Sequence, residues 1–107
     1  MIHRAHFGDG EHDFRLTGPM ILELERKCGS GIAALCTRLF NRSFSDTDLH
    51  ETLRCALIGG GTDPKRAGEL IATYSVGRPY SETYPIAEAI AELVWFGNPN
   101  ESANGQA

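Results

Sequence analysis

Near the middle of the sequence lies Leu53-Arg54-Cys55-Ala56-Leu57-Ile58-Gly59-Gly60-Gly61, an apolar run that ends in three consecutive glycines. Ser45 and Asp48 form a capping arrangement upstream, so a helix is predicted from Asp46 to Ile58. The glycines end it, because glycine favours termination. Its inward residues follow the i, i+3, i+4 spacing of one helical face: Leu49, Leu53, Ala56 and Leu57.

Two further helices are predicted before this one. The first begins at Gly18-Pro19, with the proline near N1, where its missing N–H costs nothing, and it ends before Gly29. Ser30 caps the second helix, whose apolar residues keep helical spacing as far as Phe40. The polar stretch Asn41-Arg42-Ser43 ends it.

Two more helices are predicted after the glycines. The dipeptide Asp63-Pro64 supplies an N-cap and a proline at N1 for the fourth helix. Gly77-Arg78-Pro79 then interrupts the chain. The fifth helix is predicted to begin near residue 81 or 82 and to reach Phe96, which places Pro85 in the first turn, where proline is tolerated.

A β-hairpin is predicted over residues 3–17, because Asp9-Gly10 suits a type I′ turn, which needs positive φ at both central positions. Alternation along the two strands leaves one face largely apolar and the other charged. Such a hairpin is marginal alone and must pack on the helices. The pairs expected across the apolar face are Phe7 with His12, Ala5 with Phe14 and His3 with Leu16.

The fold class predicted from these elements is α+β, mostly α, with an N-terminal β-hairpin followed by about five short helices. The 107 residues suffice for one domain with a modest core, and a hydrophobic content of 41% is that of an ordinary globular protein. The single domain is expected to cover residues 1–97. Residues 98–107 contain no apolar anchor and are expected to be disordered.

Composition also disfavours several classes of function. A net charge of −4 argues against binding nucleic acid, whose phosphates repel an acidic chain. No stretch approaches the roughly 18 apolar residues of a membrane helix, and the start of the chain lacks the apolar run of a secretory signal. A cytoplasmic location is therefore expected, in which Cys28, Cys36 and Cys55 stay reduced.

No catalytic or cofactor motif stands out, so the chain is predicted not to be an enzyme and to need no cofactor. Strand alternation puts His3 and His12 on one face and His6 on the other, which argues against a shared metal. A small hydrolase or metal protein that uses these histidines is the enzymatic alternative. The loop from Gly59 to Lys65 follows a helix and lacks the phosphate-loop spacing.

Aromatic residues concentrate in the last third of the chain, and aromatic side chains are frequent anchors of protein interfaces. The broad apolar face of the fifth helix suggests either burial on several sides or a surface for a partner. For Trp95 and Phe96, a place in the core and a place at a partner interface are equally compatible with the sequence. The predicted partner-binding residues are Tyr84, Ile90, Trp95 and Phe96.

The order of motifs carries a resemblance to a known family. Arg15-Leu16-Thr17 is followed by Glu23-Leu24-Glu25, then by Gly31, Leu35 and Leu39 at fixed spacing, by the glycine-ended helix, and by an apolar helix from Pro85 to Phe96. Over about residues 5–97 this pattern resembles the gene-transfer-agent family of small phage-tail proteins, which are found beside tail genes in bacterial prophages and prophage-like particles.

The resemblance implies a tail assembly chaperone in the bacterial cytoplasm. Such a protein would bind the tape-measure protein, keep it soluble and help recruit tail-tube subunits, and it is compatible with action in several copies. The family is also labelled as tail-tube protein, so a structural tube or connector component is the alternative. The scarcity of strands favours the chaperone, since a tube subunit is expected to supply long strands. A regulatory adaptor unrelated to phage is a further alternative.

Overall fold

The computed structural model of the protein describes residues 2–97, and the tail predicted over residues 98–107 lies outside them. The predicted α+β fold is confirmed, because a two-stranded antiparallel hairpin precedes five helices. The strands are β1 (His3–Phe7) and β2 (Gly10–Phe14). The helices are α1 (Gly18–Cys28), α2 (Ile32–Phe40), α3 (Asp46–Gly59), α4 (Pro64–Tyr74) and α5 (Tyr80–Phe96).

Helix α3 is the centre of the fold, since it packs against the other four helices and against β2. Its N-terminus carries the predicted cap: the Ser45 hydroxyl accepts from the Asp48 N–H, and the Asp48 carboxylate accepts from the Ser45 N–H, both at 3.0 Å. Its side chains are buried on more than one side of the helix. The buried apolar residues are Leu49, Leu53, Cys55, Ala56 and Leu57.

The backbone that leaves the hairpin packs against the glycines at the end of α3. The Arg15 N–H donates to the Ala56 carbonyl at 2.9 Å, so backbone from outside the helix lies directly on its last turn. A Cβ on Gly60 would lie 2.6 Å from the carbonyl carbon of Asp13, and one on Gly59 would lie 3.1 Å from that of Arg15. These two positions therefore admit only glycine without a backbone shift.

The hairpin has the predicted faces but another register. The turn is Gly8-Asp9, and β1 and β2 pair two residues out of the predicted register, so the prediction of an Asp9-Gly10 turn is wrong. Gly8 has φ of +64° and lies under Tyr74, whose ring would be 2.7 Å or less from an added Cβ, so tertiary packing selects this turn. A shift of two residues keeps every side chain on its face. The pairs are His3 with Phe14, Ala5 with His12 and Phe7 with Gly10.

Helix α5 begins at Tyr80, slightly before the predicted start. Pro85 consequently lies in the second turn, whereas the prediction placed it in the first. Because proline has no N–H, the Ser81 carbonyl lacks the helical hydrogen bond that it would accept from residue 85. The Tyr80 ring packs edge-on against Phe44 at a centroid distance of 5.6 Å, and its hydroxyl hydrogen-bonds to Asp46. These contacts stabilise the start of α5 at Tyr80.

A buried ion pair joins α2 to α3. Arg38 donates to both carboxylate oxygens of Asp48, at 2.7 and 3.0 Å, and Asp48 is 3% exposed. Burial alone would raise the pKa of Asp48, but the hydrogen bonds from Arg38 and from the Ser45 N–H outweigh it and hold that pKa below its usual value. Asp48 therefore stays ionised at neutral pH and joins the start of α3 to α2.

The close approach at Gly59 gives a stability prediction with an internal control. Gly59→Ala should lower the free energy of unfolding by about 2 to 4 kcal/mol, because the new Cβ overlaps the Arg15 carbonyl. Gly68→Ala, in α4 with nothing within 4 Å of the added Cβ, should raise it by about 0.5 to 1 kcal/mol. Urea denaturation measures both. Equal effects of the two changes would contradict the packing account.

Candidate protein-binding site

The nine aromatic residues separate into two groups. Phe7, Phe14 and Tyr74 form an inner group beneath the hairpin, where the ring of Phe7 lies 6.0 Å from that of Phe14 and 6.2 Å from that of Tyr74. The other six lie on or between α2 and α5, and we call them the aromatic face. Its members are Phe40, Phe44, Tyr80, Tyr84, Trp95 and Phe96.

Helices α2 and α5 run antiparallel and hold the aromatic face between them. The Tyr84 hydroxyl donates to the Leu39 carbonyl at 2.7 Å, near the end of α2. The other end of α5 reaches the start of α2, where Ile32, Ala33 and Trp95 help to line a pocket of about 330 Å³. The aromatic side chains are thus spread along both helices and are not confined to one end.

A larger pocket, of about 510 Å³, lies where α2 ends and α5 begins. Phe44 stacks on Tyr84 there, with ring centroids 5.4 Å apart, and the Arg42 guanidinium lies 5.4 Å from the centre of the Tyr84 ring. Arg42 has φ of +58° and is the only non-glycine residue with positive φ among residues 2–97. This backbone turn after α2 accompanies a cation–π contact at the pocket.

The C-terminal end of α5 is the most exposed part of the aromatic face. Trp95 is 53% exposed and Phe96 is 66% exposed, although Phe96 also packs against Phe40 at a centroid distance of 6.2 Å. Large apolar side chains that remain in water are normal singly, but a contiguous group is typical of an interaction surface. The exposed end of the aromatic face is therefore a candidate protein-binding surface.

The structure brings three of the four predicted partner-binding residues to the surface. Trp95 and Phe96 are exposed and Tyr84 is half-buried. Ile90 is 1% exposed and belongs to the core, so in this conformation it cannot make the direct contact with a partner that was predicted for it. The prediction omitted the other members of the face and Arg42. Phe44 precedes the N-cap of α3, a position that commonly carries a packed hydrophobic residue, so that signal was present in the sequence.

His50, near the start of α3, is largely buried and makes polar contacts. Its Nδ1 lies 2.7 Å from the Ser75 hydroxyl, its Nε2 lies 3.7 Å from Asp46, and its side chain is 14% exposed. Serine, histidine and aspartate together have the composition of a hydrolytic triad. Ser75, however, is 1% exposed at the end of α4, so its hydroxyl does not face solvent as a nucleophile would.

The cysteines and the possible metal ligands are the remaining candidates for chemistry. Burial raises the pKa of Cys28 to about 12 and that of Cys55 to about 11, so both thiols are protonated at neutral pH and weakly reactive. Within residues 2–97, no three His, Cys, Asp or Glu side chains are grouped so that they could hold a metal ion. Over the same residues, no helix is long and apolar enough to cross a membrane.

Comparison with known proteins gives the family. The sequence profile of the family described as "Phage tail tube protein, GTA-gp10" matches residues 2–97, nearly the whole chain. The chain therefore belongs to this gene-transfer-agent family of phage-tail proteins, as the resemblance predicted. No curated protein and no solved structure matched it. Membership supports a role in the phage tail.

Because the end of the aromatic face is exposed and the core is buried, substitutions at the two places should change the free energy of unfolding by different amounts. Trp95→Ala with Phe96→Ala should lower the free energy of unfolding by no more than about 1.5 kcal/mol, since both side chains are more than half exposed. Ile90→Ala should lower it by about 2 to 5 kcal/mol, because it opens a cavity in the core. Thermal and urea denaturation measure both. A double variant as unstable as Ile90→Ala would mean that Trp95 and Phe96 are core residues.

Proposed function

We propose that this protein is a phage-tail assembly chaperone, which binds the tape-measure protein through the aromatic face and helps tail-tube subunits to assemble around it. The observation that carries the proposal is the exposed part of the face, at Trp95 and Phe96. The role requires no catalytic centre and no cofactor. It is exercised in the cytoplasm of the bacterial host, where tails assemble.

The shape of the face suits a helical partner. Two antiparallel helices with aromatic side chains along them offer an apolar surface on which an amphipathic helix can lay its apolar side. The pocket beside Tyr84 and the one beside Trp95 lie towards opposite ends of α5, so a partner helix has an anchor point at each end. Tryptophan and tyrosine are the side chains that most often dominate binding energy at such anchors.

The small content of strand also supports a chaperone. The hairpin has five residues in each strand, and β1 pairs only with β2 in the part of the chain that the structure describes. A tube wall built from strands needs long edges that continue from one subunit to the next. The helices, and not the hairpin, carry the exposed aromatic side chains of this protein.

Co-expression with the tape-measure protein encoded nearby tests the proposal. The long protein should become soluble and co-purify with the wild-type chain at moderate salt. Trp95→Ala with Phe96→Ala should remove most of this co-purification, while circular dichroism shows the variant to be folded. Leu22→Ala is the matched control, since Leu22 is 68% exposed on α1 and is not a member of the aromatic face. Unchanged co-purification by the folded double variant would refute the proposed surface.

A structural tube or connector component is the second candidate, and it is favoured by the description of the family as a phage tail tube protein. Quantitative mass spectrometry of purified particles separates the two roles. A chaperone should be absent or scarce relative to the tube subunits, because it leaves when the tail is complete. A component should be present at a fixed ratio to them. A fixed ratio near that of the tube subunits would replace the chaperone proposal.

A further inference from the structure

The charges on α5 are all negative. Glu82, Glu88 and Glu92 are its only ionisable side chains besides the tyrosines, and the helix contains no lysine, arginine or histidine. Glu82 is paired with Arg78, which donates to it at 3.0 and 3.2 Å. Glu88 and Glu92, in contrast, have no cationic group within 4.0 Å in residues 2–97. Two carboxylates without a direct ion pair therefore lie on this helix.

These carboxylates lie within the aromatic face. Glu88 and Glu92 follow Tyr84 at intervals of four residues, and Phe96 comes four residues later, so the four side chains form one row along α5. The Tyr84 hydroxyl oxygen, which donates to the Leu39 carbonyl, also lies 3.2 Å from Oε2 of Glu88, which places the carboxylate beside the tyrosine side chain. Like charges one turn apart repel each other, and a cation from outside would relieve that repulsion.

The charge pattern discriminates between occupants of the face. A second copy of this chain, docked face to face, would bring four carboxylates together without a matching row of cations, which is unfavourable. Arg42 is the basic side chain at the face, and it lies at the pocket end over Tyr84. A basic helix matches the middle of α5, and an acidic group on that helix matches only the end near Arg42.

We propose that the segment of the tape-measure protein that binds here is an amphipathic helix whose apolar stripe is flanked by lysine or arginine. Its cations pair with Glu88 and Glu92, while its apolar side chains contact Trp95 and Phe96. This inference rests on the proposed function and specifies the chemistry of the partner. It makes Glu88 and Glu92 determinants of partner choice, a role that exposed charges at the rim of an interface often have.

Charge reversal tests this inference with the co-expressed tape-measure protein as the probe. Glu88→Lys with Glu92→Lys should reduce the amount retained about tenfold at roughly 0.1 M salt. Glu11→Lys with Glu69→Lys is the matched control, because it changes the net charge equally at exposed positions outside the aromatic face. The control should retain the tape-measure protein as the wild type does.

Neutral variants supply a second measurement. Glu88→Gln with Glu92→Gln keeps the size of the side chains and the acceptor for Tyr84, so folding should be unaffected. Wild-type binding should weaken when the salt concentration rises to about 0.5 M, and binding by this variant should depend less on salt, since fewer ion pairs are screened. Equal salt dependence of the two proteins would count against the pairing of Glu88 and Glu92 with cations.

The outcomes distinguish this inference from the function on which it rests. Loss of binding in the Trp95 and Phe96 double variant, with full binding after charge reversal, would overturn the basic partner helix and leave the chaperone role intact. Failure of the wild-type chain to bind the tape-measure protein would overturn both. Wild-type dimers that the same double variant converts to monomers in light scattering, without tape-measure binding, would assign the face to a second copy.

Discussion

The contact between the end of α3 and the backbone that leaves β2 is the constraint on which the rest of the structure depends. The Arg15 N–H reaches the Ala56 carbonyl because Gly59 and Gly60 present no side chain at that point. This contact sets the hairpin against α3 and buries Phe14 completely. One side of α5 packs over β1 and α3, and the side that meets α2 carries the aromatic face.

Much of the fold follows from local signals in the sequence. Asp63-Pro64, the Ser45 and Asp48 cap, and Gly29 each act through neighbouring backbone groups, so the helix ends that depend on them were predictable. The hairpin register was not, because the ring of Tyr74, more than 60 residues further on, decides which glycine occupies the turn. The same limit applies to Gly59 and Gly60, whose partners lie far away in sequence.

The candidate site was predictable only in part, for a related reason. Periodicity shows that α5 is broadly apolar, but it does not show which side faces α2 and which faces the core. Ile90 and Trp95 therefore looked alike in the sequence, although Ile90 is buried and Trp95 is half exposed. Phe40 joins the face through its contact with Phe96, which no local pattern contains. The position of Phe44 before the α3 N-cap signals a packed side chain, but it does not show that the partner is Tyr84.

Hydrogen exchange, followed by mass spectrometry on the protein alone and in complex with the tape-measure protein, tests most directly whether the α2–α5 surface is the binding site. A helix that docks on the aromatic face should slow amide exchange in the peptides that cover α2 and α5. Peptides from β1, β2 and α4 should exchange as in the free protein. Slower exchange confined to the hairpin or to α4, with α2 and α5 unchanged, would contradict the account.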